Sequence, residues 1–321
     1  MSASVRIRGF TMVIVASILW GVSGTVAQSL MQHYQFQTDW LVAVRLLSSG
    51  VILLALSLLG QHRQNVWHLL RSGGDFVRLL IFSILGMLAV QYTFFAAIEA
   101  GNAATATLLQ YLGPVFLVLY FIIRTRKLPS LAQVTALVLA LGGTYFLITG
   151  GNPGKLTISA GALAWGLASA LALAFYTVYP TLLLGRWGST VVLGWSMLIG
   201  GVVLGLSTQT WTYTEMIWTL PSVLAVLFII LFGTLIPFYL YVDSLNYIRP
   251  TETSLLASAE PLSAVITAVF WLHVSFGLFE WIGCLCIIGT VFALSRHREK
   301  PKEVSLGVAS DETRRGKLEK V

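Results

Sequence analysis

Residues 92–120 read YTFFAAIEAGNAATATLLQYLGPVFLVLY, and residues 239–266 read YLYVDSLNYIRPTETSLLASAEPLSAVI. A shift of 147 residues lays one on the other without a gap: Tyr92 falls on Tyr239, Leu108-Leu109 on Leu255-Leu256 and Pro114 on Pro261. Outside these stretches Gly86 meets Gly233 and Gly142 meets Gly289. Leucine matches carry little weight in an apolar chain. Gly, Tyr and Pro matches carry more, because each has a backbone or polar role. An internal repeat of this length governs the whole architecture.

The repeat sits in a chain that water cannot solvate. Of 321 residues 56% are hydrophobic and 10% charged, and the mean hydropathy is +0.82. A soluble domain carries roughly a quarter charged residues. Of the 33 acidic and basic side chains, 13 lie in residues 296–321. This excludes a soluble enzyme, a nucleic-acid module and a disordered chain. The pI near 9.5 then marks cytoplasmic loops, not a nucleic-acid partner. Cys284 and Cys286, two apart in an apolar run, make no disulfide framework. No His, Asp or Glu cluster beside them suggests a metal, and no organic cofactor is implied.

A spanning helix takes about 20 mostly apolar residues. Ten such runs are expected, at 9–31, 39–60, 76–98, 102–123, 129–149, 157–184, 189–207, 221–248, 251–272 and 277–295. A tight turn at Glu99 to Asn102 separates the third from the fourth. The start resembles a secretory signal, but the first run is long enough to span and is read as retained. Residues 1–8 form a short cytoplasmic N-terminus, 9–150 the first half, 157–295 the second, and 296–321 a disordered cytoplasmic tail. With the N-terminus inside, 18 of the 20 Lys and Arg fall on the cytoplasmic side, Lys155 alone falls outside, and Arg45 lies within a span. Both termini are therefore expected in the cytoplasm.

Each half holds five helices. Five is odd, so the second half must enter the membrane upside down relative to the first. The charges agree: Arg124 to Lys127 form a basic cytoplasmic loop, while the repeat-equivalent Trp271 to Val274 are uncharged and external. The expected fold is an all-α integral membrane protein, ten transmembrane helices in two inverted five-helix repeats. Two such halves can rock to open an interface site to either side in turn, which is the geometry of a secondary transporter.

The two quoted stretches, together with Trp20-Gly21 in the first helix and Arg45 in the second, resemble the EamA-type transporters of the drug/metabolite transporter superfamily. The resemblance covers roughly residues 9–295. It implies a central cavity, a bacterial inner membrane, and transport of small organic solutes, often export of amino acids, amines, related metabolites or drugs. It identifies the fold well and the solute poorly, and it brings no catalytic signature.

Ionisable groups inside a bilayer cost about 2.5–3.5 kcal/mol on the most lenient scale, so each needs a reason. Glu260 lies nine residues into its run, near the bilayer centre at about 1.5 Å per residue. Pro261 follows it and frees a carbonyl one turn earlier, around Ala257. An acid beside a loosened backbone suits a proton or a cationic group; the alternative is a structural hydrogen bond. Gln110 and Tyr111, beside Gly113-Pro114, are the uncharged counterparts, read as cavity residues or helix bridges. Arg45 pairs with Glu260 or a solute carboxylate, or more simply snorkels outward or bridges helices. Glu99 and Asp243, near opposite ends, are candidate gate residues. Trp20, Tyr92, Phe95, Tyr176, Tyr179 and Tyr239 are candidate cavity walls, with ordinary packing the alternative for each. Trp40, Trp67 and Trp211 fit an interfacial belt. Pro114, Pro237 and Pro261, with Gly86 and Gly233, are candidate hinges.

The stretch TGGNPGKLT, Thr149 to Thr157, imitates a phosphate loop but lacks its first glycine and its final Ser or Thr. His62 and His68 sit in a basic loop without metal-ligand spacing. The expected partners are a small organic solute, lipid, and a proton or other coupling ion. A membrane-embedded transferase is disfavoured because no acid/base or metal group clusters at an interface. A solute channel is the other alternative.

Overall fold

A computed structural model describes residues 3–60, 63–126, 128–152, 157–244, 247–248, 253 and 256–295. The tail 296–321, Lys127, Lys155, Arg249 and His62 lie outside the described residues. Helices account for nearly all of the rest. They are α1 Ala3–Tyr34, α2 Thr38–Leu59, α3 Arg63–Arg71, α4 Gly73–Ile81, α5 Ala89–Ala100, α6 Ala103–Gln110, α7 Gly113–Thr125, α8 Leu131–Thr149, α9 Ala160–Val178, α10 Thr181–Trp187, α11 Ser189–Thr208, α12 Leu220–Ile230, α13 Ile236–Ser244, α14 Ala259–Leu272 and α15 Leu278–Ser295. Two π-helical segments, Phe82–Leu88 and Leu231–Leu235, join α4 to α5 and α12 to α13.

Eight helical stretches among the described residues are long and apolar enough to cross a membrane: Arg6–Tyr34, Thr38–Leu59, Gly73–Ala100, Ala103–Arg124, Leu131–Thr149, Ala160–Val178, Ser189–Thr208 and Leu220–Tyr241. Two shorter apolar helices follow, Ala259–Leu272 and Leu278–Ala293, where the last two runs were expected. Large apolar side chains line the perimeter, among them Val138, Leu171, Leu206, Leu224 and Leu285. Such a belt is tolerable only in lipid or under a partner.

Three expectations change. The run at 157–184 is not one helix: α9 ends at Val178, and α10 begins after Pro180, which has no N–H with which to continue the ladder. The expected loop after α2 contains a helix, α3, whose Val66 and Leu69 are buried while Trp67 and His68 face outward. Their spacing on one helical face was readable in RQNVWHLLR. The run at 102–123 is present as Ala103–Arg124, but its helix is interrupted by a turn at Tyr111-Leu112, between α6 and α7. The expected tight turn falls at Gly101-Asn102, where the Asn102 side chain accepts from the backbone N–H of Thr105 at 2.8 Å and starts α6.

Irregularities recur at the repeat spacing. Shifting 84–88 by 147 gives 231–235, the second π-helical segment. The break at Tyr111-Leu112 has its counterpart, one residue short of that spacing, in the turn at Ala257-Ser258. Arg126, which ends α7 in the left-handed region at φ 52°, corresponds to His273, which ends α14 at φ 53°. The matching also reaches α1 and α9, at a shift of 145: Trp20-Gly21 and Trp165-Gly166.

Several helix pairs of the first part of the chain have counterparts involving the second. α2 packs on α11 and α8 on α15; α5 packs on α9 as α13 does on α1; α14 packs on α1 as α6 does on α9. α2 and α11 run antiparallel, since Gly201 faces Leu47 and Gly194 faces Leu54. Two main cores result. One joins α1, α2, α11 and the π-helical spans; the other joins α6–α9, α14 and α15.

Candidate functional site

The two broken segments meet between the halves. The Tyr111 hydroxyl, at the break between α6 and α7, donates to the carbonyl of Ala257 at 2.7 Å and lies 3.1 Å from Oε2 of Glu260. Pro261 explains the first contact. A helical carbonyl bonds to the N–H four residues on, and for Ala257 that residue is Pro261, which has none. The carbonyl keeps a bond from the N–H of Glu260 at 2.9 Å and takes its second from Tyr111. Gln110, one residue earlier, donates through Nε2 to Ser169 Oγ of α9 at 2.7 Å.

The same geometry occurs at the π-helical segment before α13. In α-helical register the carbonyl of Gly233 would look to the missing N–H of Pro237, and Nη2 of Arg45 donates to that carbonyl at 2.8 Å. Nε of Arg45 donates to Thr234 Oγ1, and its guanidinium lies 5.1 Å above the ring of Phe95. Arg45 is only 7% exposed and does not snorkel. It bridges helices. Among the described residues no carboxylate lies within ion-pair distance of it; its nearest acidic influence is Glu260.

The aromatic expectations divide. Trp20 packs edge-on to Phe238 at 5.3 Å and beside Tyr241 at 5.5 Å. Tyr241 is half-buried, and its contact with Trp20 sets it on the inner side of α13. Sequence reading passed over it and chose Tyr239. That is corrected: Tyr239 is 66% exposed on the outside of the bundle. Phe238 and Tyr241, three apart, share the inner face instead. Phe95 is wholly buried beneath Arg45. Tyr176 packs on Phe82 of the first π-helical segment at 5.4 Å, and Tyr179 stacks on Phe175 at 4.7 Å. Tyr92 meets Trp165 edge-on at 5.8 Å. Trp67 and Trp211 are exposed as a belt would be, but Trp40 packs against Phe36 and Trp218.

A cavity of about 470 Å³ opens at the end of the bundle opposite the N-terminus. Gln28, Gln32, Gln35, Gln37, Glu99 and Glu215 supply its polar wall. Of the expected site residues only Glu99 lies here, accepting from Thr38 Oγ1 at 2.8 Å. Gln28 anchors the inner wall by accepting from the backbone N–H of Ala103, the first residue of α6, at 2.8 Å. Tyr213 holds the segment that carries Glu215: it donates to Asp39 Oδ2 at 3.0 Å, and burial, then that carboxylate, push its phenol pKa up.

The other end is tied across the halves. Arg8 lies over the ring of Tyr247 at 4.9 Å. Asp75, 6% exposed in α4, accepts from Arg186 at 2.8 Å and from Trp187 Nε1 at 2.9 Å, both in α10, and from its neighbour Arg78 at 3.2 Å. Asp75 escaped sequence reading, although an acid among so few charges was a usable signal. Asp243 lies half-buried in the last turn of α13, and Pro114 sits at the second position of α7.

An apolar helical bundle with proline-broken segments meeting at a half-buried carboxylate fits the class of membrane transport proteins. The chain belongs to the EamA-like transporter family, whose model matches it twice, at residues 7–149 and 160–296. It is 39% identical over 288 residues to "Uncharacterized inner membrane transporter YicL" of Salmonella typhimurium, covering 90% of this chain and 95% of that protein. It is 26% identical over 282 residues to "Uncharacterized inner membrane transporter YedA" of Escherichia coli K12, covering 85% and 86%. One solved crystal structure, 20% identical, superposes with a TM-score of 0.59 over 92% of this chain and 97% of that one; this likeness concerns the fold.

Proposed function

We propose that the chain is a secondary transporter of small organic solutes, working by alternating access in a bacterial inner membrane with both termini cytoplasmic. Ten spans form two inverted repeats, residues 9–150 and 157–295. The twofold family match, the recurrence of breaks and caps at or within one residue of a spacing of 147, and the antiparallel packing of α2 on α11 support this reading. The observation that carries it is the meeting of the two broken segments at Tyr111, Ala257 and Glu260. Discontinuous helices paired across inverted repeats are where transporters hold their solutes.

The solute enters or leaves by the Gln- and Glu-lined cavity and reaches the group formed by Trp20, Gln110, Tyr111, Tyr176, Tyr241 and Glu260. The ties at the terminal end and the cavity at the other correspond to a conformer open to the outside. Glu260 takes a proton or another coupling cation, and export is the direction. Purified protein in liposomes tests the reading. A transporter saturates and shows solute counterflow; flux without saturation indicates a channel, and consumption of the solute an enzyme.

A further inference from the structure

We propose that Tyr111 is a positioning residue that couples the protonation of Glu260 to the break preceding α14. This rests on the reading that Glu260 serves transport, and it adds the part that senses the proton. The argument counts hydrogens. A tyrosine hydroxyl has one proton, and a backbone carbonyl only accepts. The carbonyl of Ala257, at 2.7 Å, is the nearer acceptor, so the proton of Tyr111 points there. Oε2 of Glu260 then faces a hydroxyl oxygen at 3.1 Å with no proton between them unless the carboxyl brings its own. The arrangement is fully bonded only as a chain: the Glu260 acid O–H donates to Tyr111, and Tyr111 donates to Ala257.

Loss of that proton breaks the chain. An ionised carboxylate in this half-buried site, only partly reached by water, gains from a protein donor. Of the titratable groups around Glu260, Tyr111 from the α6–α7 break is in contact, while Tyr241 from α13 and Arg45 from α2 act on it only electrostatically. Arg45 is committed to Gly233 and Thr234, and α1 presents Gly21. Tyr111 has its oxygen already in contact, so its hydroxyl turns to the carboxylate. The carbonyl of Ala257 then keeps only the N–H of Glu260. Pro261 can offer no replacement. The turn at Ala257-Ser258 loses its tie to the first half whenever Glu260 ionises, and regains it on protonation. The proton moves between the carboxyl and water, and no other bond is made or broken.

Infrared difference spectra of the full chain in liposomes, recorded without solute during a pH titration, read the carboxyl directly. The expected result is a protonated-carboxyl band that Glu260→Gln abolishes and Tyr111→Phe moves to the frequency of an unbonded acid. Absence of that band at every pH, or an unmoved band in Tyr111→Phe, overturns the proposal. Pro261→Ala gives a second route if Tyr111→Phe does not fold. It restores an N–H to the carbonyl of Ala257, so Tyr111 becomes free for the carboxylate, and the pH profile of transport flattens. An unchanged profile in Pro261→Ala also overturns it. Counterflow fails separately: a titrating, Tyr111-sensitive band without counterflow refutes the transport reading alone.

Discussion

Nη2 of Arg45 donates at 2.8 Å to the carbonyl of Gly233, the carbonyl that in α-helical register would look to the missing N–H of Pro237. Tyr111 does the same for Ala257, which Pro261 deprives. In both cases a proline in the second half opens a hydrogen-bonding vacancy and a side chain from the first half fills it. Breaks in spanning helices are tolerated only where the freed backbone group finds such a partner. The two vacancies therefore tie the halves together at the places where their helices are most deformable.

Arg45→Lys keeps the charge and loses the fork. One ammonium cannot serve both the Gly233 carbonyl and Thr234 Oγ1. The expected cost is about 2 kcal/mol, one charged hydrogen bond, read as a lower midpoint of reversible unfolding in mixed micelles. A variant as stable as the parent would show that the π-helical segment needs no such support.

Gly21 lies so close to the backbone of Glu260 and Ala264 that a Cβ there would overlap both. Gly21→Ala is expected to push α1 off α14 and to cost about 1–3 kcal/mol, as overpacking does. Transport should fall with stability. Wild-type melting and wild-type flux together would mean that this seam opens freely.

Asp75→Asn removes the charge from a buried acceptor that three donors address. A loss of about 1–3 kcal/mol is expected. If the contact closes the terminal end, cysteine reporters near Trp187 should also label faster with a membrane-impermeant reagent. Unchanged labelling would leave Asp75 with a purely structural part.

Neutralising the Gln- and Glu-lined cavity with Glu99→Gln and Glu215→Gln should slow a cationic solute at low salt by up to about tenfold, and a neutral one little, because the carboxylates steer the approach. Added salt should shrink the difference. Equal slowing of both solutes would point to altered shape, not to charge.

Pro114→Ala should reduce turnover more than apparent affinity, since it straightens the α6–α7 break without touching the acid. The comparison of maximal rate with half-saturation in counterflow decides. A change in half-saturation alone would place Pro114 in the solute's contact surface and not in a hinge.

The candidate site was only partly legible beforehand. Glu260 and the loosened carbonyl near Ala257 followed from an acid and a proline in one apolar run. The same proline argument applied to Pro237 would have led to Gly233, but nothing in the sequence said that Arg45 would reach it. Tyr239 was chosen because it repeats Tyr92; the residues that actually meet Trp20 are Phe238 and Tyr241. Repeat matching aligns backbones, but exposure is set by neighbours: Tyr92 meets Trp165, while Tyr239 is 66% exposed.

By itself the sequence determined an apolar, membrane-embedded helical chain with two related halves, because hydropathy and spacing are one-dimensional and survive any packing. Only the tertiary structure decided which side chain fills each proline's vacancy. That choice depends on contacts between residues such as Arg45 and Gly233, separated by 188 positions in the chain, and on angles that no local pattern encodes.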